Sequence, residues 1–346
     1  MDQIEPTEVR MQSGCWSRIQ PYILPVLIFV APILVVALAR FIFEDIIEVG
    51  RLDVEFLPGS AFAGPHPMMF ISAAVTSSLY NFGFALCAAM VFSVALTAYG
   101  SVIVWLAASS KWLRGAYIVM LVIAFAFAVF DFQKLRLADD HVPAEIARNL
   151  IDRTLDHLPT CDLAESQNLP PCVTGGIGNT GNSLERVVAL GLGAVLVAGL
   201  SFLMAVAITA GSMETSENDR KARIESITLL AAMTFLLTIV AVHLLFQPGA
   251  DMITAAYAPM KPQDIVQLQD YASLRSAMTL YWATIFSLAL GTAYFCAVTF
   301  VQGQAKGAID FGSVWNVVKA LLTVLSPVIA DWALKLGEAL IETVSH

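Results

Sequence analysis

Apolar positions in this chain come in long unbroken blocks, not in the strict alternation of a half-buried strand. Blocks at residues 22–43, 82–108, 115–132, 187–210, 224–246 and 277–300 approach or exceed the roughly 20 residues a helix needs to cross bilayer hydrocarbon. Lipid offers no water to loose backbone groups, so each block is predicted to be helical. The pattern also lacks the short alternating segments of an outer-membrane barrel. The predicted fold class is an all-α integral membrane protein. It is a six-span helical bundle with an outward disulfide-containing loop region and a C-terminal amphipathic helix.

Between the blocks the sequence marks its own connections. Pro21 and Pro25 suit the start of the first span, whereas Pro32 inside it predicts a kink. No charged residue occurs from 68 to 110, and no strong turn pair divides that stretch. It is read as one long helix, its front end projecting from the bilayer and 82–108 within it. Trp105, Trp112 and Tyr117 flank Lys111 and Arg114 as an interfacial belt. Residues 214–223 read as a polar hinge, and 247–275, rich in Pro and Gln, as an outer connection. Gly176-Ile177-Gly178-Asn179-Thr180-Gly181 fits a dinucleotide fingerprint in letters only, because the fingerprint requires a strand before it and a soluble helix after it. The run is expected to be a flexible lead-in, with Asn182 or Ser183 capping the fourth span.

Two segments stand apart from the spans. The excursion 133–186 forms an outward subdomain, with an amphipathic helix between Pro143 and Pro159. The tail 313–346 is expected to be a kinked amphipathic helix pair, opened by Ser326-Pro327, on the inner surface or against a neighbouring chain.

Composition agrees with the blocks. Hydrophobic residues make up 58% of the 346 and charged residues 14%, against about 25% in soluble domains. The net charge of −9 offers no basic face for phosphates, so no nucleic-acid partner is expected. Arg10, Arg18 and the Ala37-Leu38-Ala39 run resemble a signal peptide, but Asp2, Glu5 and Glu8 dilute the charge such a leader needs. Residues 1–21 are therefore expected to remain as a cytosolic segment. With the N-terminus inside, Lys and Arg are about twice as dense in the inner segments as in the outer ones. Splitting 68–110 into two spans would reverse that bias. The expected location is a bacterial inner (plasma) membrane, crossed several times, with both termini cytoplasmic.

Candidate chemistry is sparse. Cys161 and Cys172 lie on the expected outer side, where an oxidising compartment would let them pair. Free thiols are the alternative, and metal binding with His141 or His157 is the weakest reading, because the spacing matches no ligand pattern. Cys87 and Cys296 read as small packing residues inside spans. Asp139, Asp140 and His141 could bind a cation or exchange protons, though an exposed turn has the same composition. Glu44, Asp45 and Glu48 form an acidic strip that would attract cations at a pore entrance. His243 is the most inward ionisable side chain, and an intramembrane ionisable group is a functional candidate. It is more readily a hydrogen-bonded packing residue. Paired histidines at matched depth are lacking, so no haem or other cofactor is expected.

Small residues give the stronger pattern. Ala85, Ala89, Ser93, Thr97 and Ser101 recur every four positions, as do Thr279, Ala283, Ser287 and Gly291. Gly191, Ala194, Ala198, Ser201 and Ala205 form a third stripe. Such stripes let helices approach closely in lipid. The favoured reading is a non-enzymatic, channel-like or membrane-complex component, a homo-oligomer or a subunit of a larger assembly, with an outward partner-binding face. A small-molecule transporter is the alternative, and an enzyme or metal site on the outer face the third.

Overall fold

The computed structural model describes residues 16–41, 73–108, 110–134, 178–212, 215–256 and 261–306. Seven α-helices occupy these residues: α1 Trp16–Phe41, α2 Ala73–Ala107, α3 Lys111–Lys134, α4 Gly178–Gly211, α5 Glu217–Leu245, α6 Gln247–Ala256 and α7 Val266–Lys306. A short 3-10 turn, Pro262–Asp264, precedes α7. Among the described residues, Ser77–Ala107, Leu190–Gly211, Glu217–Asp251 and Val266–Val301 are long and apolar enough to cross a membrane. A shorter apolar stretch, Val26–Ala39, lies in α1. The architecture is that of a helical multi-pass membrane protein.

Helix α4 is the hub, with α1, α2, α3, α5 and α7 all packing on it. Its small residues explain why. Ala198, Ser201 and Ala205 are fully buried, and from 205 to 210 every side chain is buried. Side chains this short let several helices approach one axis together. The outer faces of α2 and α3 remain apolar and exposed, at Phe84, Val94, Leu106, Val119 and Phe125 among others, as a lipid-facing surface must be.

Contacts fix the relative directions. Ser201 lies beside Gly100 and Gly191 beside Leu86, so α4 runs parallel to α2. Ser201 meets Tyr117 and Gly193 meets Ala128, so α3 runs antiparallel to both. Thr234 Oγ1 donates to Phe92 O at 3.4 Å, and Tyr99 OH bonds Ser226 Oγ at 2.9 Å, which sets α5 antiparallel to α2. The stacked rings of Phe235 and Phe286, 4.7 Å apart, together with His243 beside Thr279, set α7 antiparallel to α5. The C-termini of α2, α4 and α7 therefore share one end of the bundle with the N-termini of α3 and α5.

Arginines close the helix ends there. Arg114 Nη2 donates to Ala108 O at 2.9 Å, and Arg220 Nη1 donates to Ala210 O at 3.2 Å. Each cation sits on carbonyls that a helix terminus leaves unbonded, where the macrodipole is negative.

Several expected boundaries move. The glycine run is not a lead-in: α4 begins at Gly178, so Asn182 and Ser183 lie within its helical turns, not at its cap. The polar hinge shrinks, because Ser216 caps α5 by accepting from Asp219 N at 3.2 Å. Arg220, Lys221 and Arg223 thus belong to the first turns of the helix. The Pro- and Gln-rich stretch is largely helical, since α6 occupies Gln247–Ala256 and α7 starts at Val266 rather than 277. The single long helix expected across 68–110 is present as α2. Two packing expectations are overturned. Tyr117 is not part of an interfacial belt but is buried against α4, and Cys87 is exposed on the lipid side of α2.

Candidate functional site

The end of the bundle opposite Arg114 and Arg220 carries a bonded set of polar side chains where α5 gives way to α6. Helix α5 stops at Leu245, the chain turns through Phe246, and α6 begins at once. Pro248 falls in the first turn of α6, where a missing N–H costs nothing. Facing this corner, α7 presents Tyr271, Arg275 and Thr279, spaced four apart and so on one helical face.

Each of the three engages the corner. Tyr271, buried to 1% exposure, donates its hydroxyl to Phe246 O at 3.0 Å. Arg275 Nη1 donates to Gln247 Oε1, and Gln247 Nε2 donates to Asp251 Oδ1 at 3.3 Å. One amide thereby links a cation on α7 to a carboxylate on α6. Thr279 Oγ1 donates to Arg275 O at 2.8 Å and lies 3.2 Å from His243 Nδ1. A hydroxyl has a single proton. With that proton on the Arg275 carbonyl, Thr279 accepts from His243, which assigns a proton to Nδ1. Beneath the polar groups, Phe246, Ile253, Ile265, Tyr271, Leu274 and Met278 form a separate small core.

The Thr279 hydroxyl is the natural place to test the assignment. Thr279→Val keeps the shape and removes the acceptor, and is expected to lower stability by about 1 kcal/mol. Thr279→Ser should retain it. Thermal melts in detergent that show valine and threonine alike would mean that the His243–Thr279 bond contributes nothing to stability.

A second polar set lies nearer the arginine end. Tyr117 OH bonds Ser201 Oγ at 2.6 Å and Ser101 Oγ at 3.0 Å, tying α2, α3 and α4 together. Ser101 donates to Thr97 O at 2.7 Å, Thr97 to Ser93 O at 2.9 Å and Ser93 to Ala89 O at 2.8 Å. The hydroxyl stripe of α2 is thus bonded to carbonyls of its own helix, which satisfies it without water.

Of the residues singled out in the sequence, His243 lies in the first set, buried to 3% exposure. Cys161, Cys172, Asp139, Asp140, His141, Glu44, Asp45 and Glu48 lie outside the described residues, as do the amphipathic tail and the 142–158 helix. Cys87 and Cys296 are free thiols. Among the described residues no group of three His, Cys, Asp or Glu side chains converges as a metal would require. Sequence reasoning missed Tyr271, Arg275, Gln247 and Asp251. The signal was present, because the stripe Thr279–Ala283–Ser287–Gly291 continues at the same spacing back through Arg275 to Tyr271. No family model, curated protein or solved structure matches this chain.

Proposed function

We propose that this chain is a non-enzymatic subunit of a membrane assembly, crossing the bilayer six times with both termini cytoplasmic. The observation that carries the reading is the folded cap at the end opposite the arginines. Phe246, Ile253, Ile265, Tyr271, Leu274 and Met278 build a core of their own there, and Tyr271, Arg275 and His243 tie α7 to the end of α5 and the start of α6. A connection that merely returned the chain across the membrane would need no such core. Long structured connections usually carry function.

The arginine end, with Lys111, Arg114, Arg220, Lys221 and Arg223, then faces the cytoplasm of a bacterial inner membrane. The cap faces outward, on the side of the expected Cys161–Cys172 bridge, and offers the surface a partner meets. A channel, in this reading, runs between copies rather than through one bundle, because the α2 hydroxyls are already bonded within their helix.

Light scattering of the purified chain in mild detergent tests the proposal. A discrete multiple of the protomer mass, or a fixed stoichiometry with a co-purified subunit, is expected. A strictly monomeric species that accumulates a small solute in vesicles would favour a transporter instead.

A further inference from the structure

We propose that the lateral cleft between α2 and α3 binds one anionic phospholipid, its phosphate on Arg114 and an acyl chain along the wall below. The inference needs these helices to span a bilayer but does not need the chain to join an assembly.

The cleft exists because α2 and α3, although joined by a short connection, lean on α4 more than on each other. It is a half-open groove of about 370 Å³. Helix α3 contributes Arg114, Tyr117, Ile118, Leu121 and Val122, which is one continuous face at spacings of three and four. Helix α2 contributes Ser101, Val104 and Trp105. Trp105, Ile118 and Val122 are each more than half exposed, so the opening faces sideways into lipid.

Polarity is graded along this cleft as it is along a phospholipid. Arg114 lies in the first turn of α3, at the polar end of the cleft, with its guanidinium 4.9 Å from the Trp105 ring centre. Its Nη2 closes the end of α2 and its buried Nε has no acceptor. Among the described residues no carboxylate pairs with it. A phosphate on the partly exposed part of the guanidinium would supply the missing negative charge. From Arg114 to Val122 the face descends about 12 Å, ending in purely apolar side chains. Ser101 and Tyr117, at the back, are already bonded to each other, Tyr117 also to Ser201 and Ser101 also to Thr97 O. They make no demand on a hydrocarbon chain.

A second copy of the protein is a poorer occupant. Two-fold packing of this face would set one Arg114 against another at the same depth, without an acid between them.

The test is native mass spectrometry of the full chain, titrated with phosphatidylglycerol and phosphatidylcholine of equal acyl length. One phosphatidylglycerol is expected to be retained, about tenfold more tightly than phosphatidylcholine, whose own choline cation offsets the phosphate charge that both lipids present to Arg114. Arg114→Gln should erase that preference. Ile118→Trp, which fills the cleft and leaves Arg114 in place, should lose the retained lipid in a protein still folded by circular dichroism. Arg223→Gln, outside the cleft, should bind as wild type does. Equal retention of the two lipids, wild-type binding by Ile118→Trp, or a lipid-free dimer cross-linked through Ile118→Cys would each overturn the assignment.

Discussion

Replacing Tyr271 with alanine is expected to cost about 3–5 kcal/mol, the penalty of deleting a buried aromatic ring from a packed core. Tyr271 is among the largest fully buried side chains, and its ring lies 6.3 Å from that of Phe246 in the small core beneath α6. Removing it opens a cavity between α7 and the corner where α5 becomes α6. Near a membrane, solvent transfer contributes less than in water, but lost dispersion contacts are lost in either medium. Tyr271→Phe isolates the hydroxyl. The carbonyl of Phe246 would keep its bond from Ala250 N at 3.4 Å, so that variant should lose only about 1 kcal/mol. Thermal melts and protease resistance of the cap read both changes. Equal losses in the two variants would mean that the ring contributes nothing, and the cap would have to be held elsewhere.

The same corner shows where sequence reading runs out. Continuous apolar blocks are legible because lipid demands them, and the block at 187–210 lies within the α4 that became the hub. Helix ends are less legible, because the point where hydrophobicity stops is not the point where backbone bonding stops. Helix α7 starts eleven residues before its predicted span, and α5 seven before its own. For α5 the start was legible, since Ser216 followed three residues later by Asp219 is a helix-start pattern.

Side-chain placement failed where two rules competed. Tyr117 beside Lys111 and Arg114 satisfies the composition of an interfacial belt. Its helical phase, three residues past Arg114, directs it toward Ser201 instead. Cys87 has the size of a packing residue, but it falls between Leu86, which is buried on α4 and α5, and the lipid-facing positions of α2. His243 was identifiable as the deepest ionisable group, although its partner Thr279, on α7, becomes visible only when the two helices are placed side by side.

A paired substitution on α2 tests the central crossing with its own control. Gly100 is buried where α2 meets α4, and a β-carbon built there would lie 2.6 Å from Ser201 Oγ, 3.5 Å from Ser201 O and 3.6 Å from Ile227 Cδ1. Ser201 Oγ has little freedom to retreat, being bonded to Tyr117 OH at 2.6 Å. Gly100→Val must therefore push α2 from α4 or break that bond, and overpacking of this kind costs about 2–3 kcal/mol. Gly83, on the same helix, has nothing within 4 Å of the corresponding position. Gly83→Ala should gain up to about 1 kcal/mol, because alanine is the better helix former and meets no neighbour. The opposite signs make the pair diagnostic. Intrinsic propensity alone predicts that both substitutions stabilise, whereas close approach of α2 and α4 predicts that only Gly83→Ala does. Melting temperatures moving together in the upward direction would mean that α2 and α4 do not cross at Gly100, and the arrangement around the hub would need to be redrawn.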